Sequence, residues 1–143
     1  MAQYSLTVTG YVPPWSDFLD ESQAPLPRGP IRINRVRGGR FTYSWLTDTI
    51  GVGGGIRDKF FHELGHKFDH DDLISEDRDA LLPLLRTSTW AEGWNREGAE
   101  RFASAYRGMS LGSRSEAATP DYRPTKNEWR KIKAIIRAAS ERD

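Results

Sequence analysis

The chain has 143 residues, no cysteine and a formal net charge of +1, with 37% hydrophobic and 29% charged residues. That is one domain's worth of sequence, which a hydrophobic core can hold without a staple. The composition excludes a wholly disordered chain, and the lack of cysteine excludes a disulfide scaffold, a thiolate zinc site and a cysteine nucleophile. No apolar run reaches about 18 residues, so no transmembrane helix and no membrane partner are expected. The opening MAQYSLTVTGYVPPW has neither the basic nor the apolar region of a secretory leader, which makes the cytoplasm the expected compartment.

Charge is split mildly along the chain. Residues 1–85 carry 9 Lys/Arg against 12 Asp/Glu, and residues 86–143 carry 12 against 8. The densest basic stretch, with Arg32, Arg35, Arg37 and Arg40, has no aromatic interleaving. It reads as a solvated strand face and turn, and no nucleic-acid partner is expected.

Tyr4 to Val8 alternates as a first strand. Residues 12–30 hold five prolines and read as a loop, with a short turn at Ser16–Leu19. Ile31, Ile33 and Val36 suggest a second strand, Gly38–Gly39 a turn, and Phe41–Leu46 a third strand. Thr49–Val52 reads as a short edge strand ended by three glycines. The period then changes. Phe60, Phe61, Leu64 and Phe68 recur at helical spacing, so a helix is expected over about 57–69, capped by Asp58 and ended by the acidic run Asp69–Asp72. Ser75 can cap a second helix through Leu85, and Asn95 a third running to about Arg107. Residues 110–124 read as a loop. Thr125 and Glu128 form a capping box before a last helix, with Trp129, Ile132, Ile136 and Ala139 on one face. Strands first and helices after give an α+β fold, with a small, mostly antiparallel sheet on the first long helix.

All three histidines fall within nine residues, and His62-Glu63-Leu64-Gly65-His66 spells HExxH. At i and i+4 on a helix, His62 and His66 project from one face and can share a zinc ion. Glu63 is rotated by about 100° from His62, toward a water on the metal and away from the metal itself. Zinc would bring that water's pKa toward about 7, and Glu63 would take its proton as general base.

A third ligand is needed. A metzincin-type helix wants Gly at 69 and His at 72, where this chain has Asp69 and Asp72. His70 is two turns beyond His62, too far to share one ion, and reads as exposed or substrate-side. Glu92 precedes the third helix, and Glu97 suits that helix's dipole. Glu100 is one turn in, with Ala103 and Ser104 small enough to let its helix approach the HExxH helix closely. Glu100 is therefore the favoured ligand.

The segments HELGHKFD at 62–69 and ERFASAYR at 100–107 resemble the zinc-peptidase domain of the anthrax lethal factor group, gluzincins that include related proline-specific endopeptidases. The resemblance implies a minimal zincin-like domain over 41–139. Within a single-domain chain of 1–143, residues 1–30 would add an N-terminal strand and a Pro-rich loop. It implies His62, His66 and Glu100 as zinc ligands, Glu63 as general base and 125–139 as a closing helix. There are departures. Ser104 stands where the group carries a supporting carboxylate, and residues 90–94 lack its tyrosine. The donor to the developing oxyanion is then open among Tyr106, Tyr122, His70 and an arginine.

The expected function is zinc-dependent endopeptidase action on a peptide or protein substrate, suited to a dedicated processing role in a bacterium or its phage. Substrate would add as a strand along the edge near Thr49–Val52. The alternative is a zinc-stabilised binding or structural module of a larger assembly, without catalysis.

Overall fold

The computed structural model describes residues 4–9, 15–54 and 56–143. Residues 12–14 of the expected loop, and Gly55, lie outside them. The described elements are β1 (Leu6–Thr9), α1 (Trp15–Glu21), β2 (Ile31–Arg35), β3 (Thr42–Ser44), β4 (Thr49–Val52), α2 (Arg57–Asp72), α3 (Ser75–Leu84), α4 (Glu97–Leu111) and α5 (Lys126–Ser140), with a short 3₁₀ turn at Ser115–Ala117. The class is α+β. None of the described helices is long and apolar enough to cross a membrane.

The sheet departs from the expected one. Its order is β1-β2-β4-β3. β1 pairs with β2, and β2 with β4, in parallel, while only β3 and β4 are antiparallel. The sheet is therefore mixed, not mostly antiparallel. Parallel neighbours need a long crossover, and the described part of the first is residues 15–30. That stretch is no plain loop, because α1 within it buries Trp15 and Leu19. The second crossover, after Arg35, carries β3 outward before β4 returns between β2 and β3. Ile50 and Val52 are buried, as an interior strand requires. Thr49–Val52 is thus not an edge, and β3 is.

The helices follow their apolar spacing, with small shifts at the ends. α2 starts after Ile56, not Asp58. Ile74, not Ser75, precedes α3, and its N–H is bonded by Asp77 Oδ2 at 3.0 Å. Arg96 precedes α4, although Asn95 Oδ1 still accepts from the Glu97 N–H at 3.2 Å. α4 runs on to Leu111, one turn beyond the expected end, and stops at Gly112 with φ 68°. The Thr125–Glu128 capping box opens α5 as read.

Asp69–Asp72 does not end α2 early. Anions near a helix C-terminus oppose the dipole, but here cations offset them. Asp69 binds Arg78 at 2.8 Å, Asp71 binds Lys67 at 2.8 Å, and Asp72 binds Arg28 at 2.5 Å.

α2 and α4 pack along their length. Phe68 lies 5.2 Å from Tyr106 and 6.3 Å from Phe102 between ring centres. At the crossing Gly65 meets Ala103. A Cβ on Gly65 would come within 2.9 Å of Ala103 Cα and 3.0 Å of Ala103 O. These small residues let the two helix backbones approach closely. Gly65→Ala should therefore force the helices apart and lower stability by about 1–3 kcal/mol in urea unfolding, despite alanine's better helix propensity. A midpoint equal to or above wild type would show that the crossing is not tight.

Candidate metal centre

The close crossing brings the middle turns of α2 against the first turns of α4. Glu100 Oε1 lies 3.0 Å from His62 Nε2, and Glu100 Oε2 lies 2.9 Å from His66 Nε2. The three candidate ligand atoms all lie within 4.8 Å of one another. Two imidazole nitrogens and one carboxylate form a donor set zinc accepts. Ligands about 2.0–2.1 Å from one tetrahedral ion stand a little over 3 Å apart, close to what is seen. The residues fit the ion.

A neighbouring cluster fits less well. Asp48, His70 and Asp71 also gather potential ligand atoms. Lys67 Nζ already sits among them, 2.9 and 3.0 Å from the Asp48 oxygens and 2.8 Å from Asp71 Oδ2. Lys67 is fully buried, so this cluster carries its own cation. It ties α2 to the β3–β4 turn, where Asp48 has φ 49° and accepts from Tyr43 Oη at 2.6 Å. Nothing in the spacing of the sequence pairs Lys67 with Asp48.

The supporting groups around the triad were only partly legible. Ser104, the residue in place of a supporting carboxylate, has its Oγ 3.2 Å from His62 Nδ1. With Nε2–H donating to Glu100, Nδ1 of a neutral ring accepts from that hydroxyl; with Nε2 on a metal, Nδ1 would carry the proton and donate to it, and either way the bond holds the ring angle. Asp69 accepts from Arg78 Nε at 2.8 Å and from Trp90 Nε1 at 2.9 Å. Trp90, from the stretch without a tyrosine, braces α2 in this way.

Glu97 pairs loosely with Arg101, at 3.6 Å. Glu92 is exposed in the turn before α4. Neither joins the triad.

Glu63 projects beside the triad and is only 9% exposed. Burial raises its pKa, while His62 and His66 pull it down and Glu100 adds to the rise. A carboxylate held above its ordinary value suits a base working near neutral pH. For Glu100, burial opposes ionisation, but hydrogen bonds from His62 and His66 outweigh it and hold the acid well below its ordinary value. For His66, burial opposes the imidazolium, but Glu100 outweighs it and raises the pKa.

Glu63 and Phe41 stand where two cavities meet. The larger, about 970 Å³, is lined by β3, Trp45, Leu46, His66, Trp90 and Arg96 among others. The smaller, about 420 Å³, lies toward His62, Arg40, Lys59 and Arg107. Of the donors left open by the sequence, Tyr106 and Tyr122 are spent on backbone. Tyr106 Oη donates to Pro25 O, and Tyr122 Oη to Leu84 O, each at 2.6 Å. His70 is bound by Asp71 at 2.9 Å, and Arg78 by Asp69. Arg96 lines the larger cavity, is exposed, and has no carboxylate partner among the described residues.

In comparisons with known protein families, curated proteins and solved structures, the chain has no significant match.

The pKa shifts give the metal-free chain a distinct pH response. His66 is raised, so its contribution is full below 6.5 and lost as pH rises through the folded value. Glu100 is lowered, so its contribution is full above 4.5 and lost only as pH falls through its folded value. Glu63 is raised from 4.5, so its buried ionisation costs stability as pH climbs. Chelator-treated protein should therefore melt lower at about pH 8 than at about pH 5.5. The stabilisation gained on adding zinc should grow over the same range, because the ligands bind deprotonated. Chelator-treated protein that melts higher at the alkaline end would contradict the assigned pairing.

Proposed function

We propose that the chain is a zinc-dependent endopeptidase of the gluzincin type, similar to the lethal factor group. The observation that carries this reading is the meeting of His62, His66 and Glu100 with the buried Glu63 at a cleft bordered by a free strand edge. His62, His66 and Glu100 would hold the ion. Zinc, when bound, supplies a Lewis acid that makes water acidic near neutral pH and polarises a carbonyl.

The chain's own groups do the rest. The outer edge of β3 lies along the larger cavity and offers backbone N–H and C=O groups to an extended peptide. A peptide laid there brings its carbonyl carbon toward the triad. Glu63 takes a proton from the attacking water as its oxygen bonds to that carbon. It then gives the proton to the amide nitrogen as the C–N bond breaks, so one water is consumed and the base is restored. Ser104 keeps the His62 ring from turning during this cycle. Arg96 is the donor assigned to the carbonyl oxygen, since the other candidates are engaged elsewhere.

One observation favours a second reading, a zinc-stabilised module without catalysis. The indole N–H of Trp90 is spent on Asp69, and no tyrosine hydroxyl is turned to the cleft without a partner among the described residues. Activity separates the two readings.

Elemental analysis after dialysis should find one zinc per chain, with Glu100→Ala losing most of it and Glu97→Ala keeping it. Full occupancy in Glu100→Ala would remove Glu100 from the ligand set. Wild type should cleave members of a peptide library. Glu63→Gln should keep fold and zinc yet lose about 10²–10⁴-fold in rate, because an amide cannot accept the proton. A wild type that holds zinc and cleaves nothing would favour the module. Arg96→Ala should lower kcat by about 10²-fold or more, the scale of one lost oxyanion donor, with a smaller effect on KM. An unchanged kcat would take Arg96 out of that role.

A further inference from the structure

The two cavities that meet at Glu63 differ in chemistry. The larger is bordered by the exposed Trp45 and Leu46, 62% and 78% accessible, and by Trp90. The smaller has three cations on its wall, Arg40, Lys59 and Arg107, and one carboxylate, Glu63. None of the three cations is neutralised by a carboxylate among the described residues. Arg107 donates Nε to Glu116 O at 2.8 Å and Nη2 to Ala118 O at 2.9 Å, which orients the guanidinium but leaves its charge uncompensated. Lys59 Nζ stands 5.9 Å from the Phe41 ring centre, a contact that also leaves the charge in place. Arg40 is exposed and has no ion pair among the described residues.

Arg28, Arg57, Lys67, Arg78, Arg86 and Arg142 each meet a carboxylate within 4 Å. The smaller cavity gathers three cations that have no such partner among the described residues. Its shape is also held. A Cβ on Gly53 would overlap the backbone of Gly39 and Arg40, so the turn carrying Arg40 is seated directly on the end of β4. Lys59 and Arg107 come from α2 and α4, the two helices that supply the triad.

We propose that this cavity is a subsite for an acidic side chain of the peptide substrate, on the side of the scissile bond opposite the aromatic cavity. The inference rests on the peptidase reading and names its substrate class: a peptide with Asp or Glu close to the cleaved bond. A carboxylate entering here meets three cations from three segments and satisfies donors that have no anionic partner. Charge-assisted hydrogen bonds of this kind are roughly twice as strong as neutral ones. A peptide carboxylate suits the space better than a nucleic-acid backbone. The three cations line one cavity of about 420 Å³ that Glu63 also borders.

Binding tests this apart from turnover. The probes are fluorescein-labelled tetraglutamate and tetraglutamine, titrated by fluorescence anisotropy against the zinc-loaded chain. Tetraglutamate should bind about tenfold more tightly or better, with the advantage shrinking as salt rises. Arg40→Ala and Lys59→Ala should each remove a severalfold part of that advantage. Arg37→Ala, three residues away and outside the cavity, should leave it intact. In a library digest by wild type, Asp and Glu should be enriched on one side of the cleaved bond, and Arg40→Glu should reverse that enrichment. Equal affinity for the two probes would overturn the subsite. So would an equal loss from Arg37→Ala and Arg40→Ala, or a labelled oligothymidylate binding more tightly than tetraglutamate. Tetraglutamate bound as expected by a chain that cleaves nothing would leave the subsite standing and remove the peptidase reading alone.

Discussion

The structure depends on how closely α2 and α4 cross. A zinc–carboxylate bond is about 2.0–2.2 Å long, so a glutamate on one helix can join two histidines on another only if the backbones nearly touch. Gly65 lies between His62 and His66, and its missing side chain leaves room for the backbone of Ala103. Ala103 is one turn after Glu100. The contact that sets the helix spacing is thus within one turn of the residues that spacing must align. On either side of it, Phe68, Phe102 and Tyr106 fill the interface with rings. Packing of this density resists the sliding that would take Glu100 away from the histidines.

A second constraint sets where the strand edge lies relative to that pair of helices. Lys67 is fully buried on α2, one residue past His66, and bonds Asp48 in the β3–β4 turn. Removing one partner from such an arrangement leaves a charge stranded, which typically costs about 3–5 kcal/mol. The turn therefore cannot drift from α2 without a large penalty, and β3 stays on the rim of the cleft. The left-handed backbone of Asp48 belongs to the same device, because that conformation closes the turn while its carboxylate meets both Lys67 and Tyr43.

Electrostatically, the triad already balances itself. Glu100 stays ionised and His66 is inclined to hold a proton, so a metal must displace that proton before it binds. Glu63 lies beside this balance in a drier place, and its carboxylate is correspondingly more basic. Two acids that meet from facing helices are driven in opposite directions by their surroundings. Such a divergence suits the proposed division of roles, one carboxylate to hold an ion and the other to move a proton.

The elements that repeat a local period were legible in the sequence. The apolar spacing of α2 and α5, the Thr125–Glu128 box and the i, i+4 histidines all depend on contacts within a turn or two, which composition and spacing encode directly. Glu100 could be singled out because small residues follow it on one face. Strand order was not legible. Thr49–Val52 reads as an edge because it is short, yet it lies inside the sheet, since pairing partners distant in sequence leave no mark on the strand itself. The end of α2 was misjudged for a similar reason. Four residues that look like a polar terminus become helix once Arg28, Lys67 and Arg78 arrive from other turns and segments. The sequence by itself determined the chemistry available: two imidazoles and a carboxylate one residue from the first, all on one helix. Only the tertiary structure decided which distant glutamate meets them, which strand borders them and which cations are left without partners, because those outcomes depend on how segments far apart in the chain share one small volume.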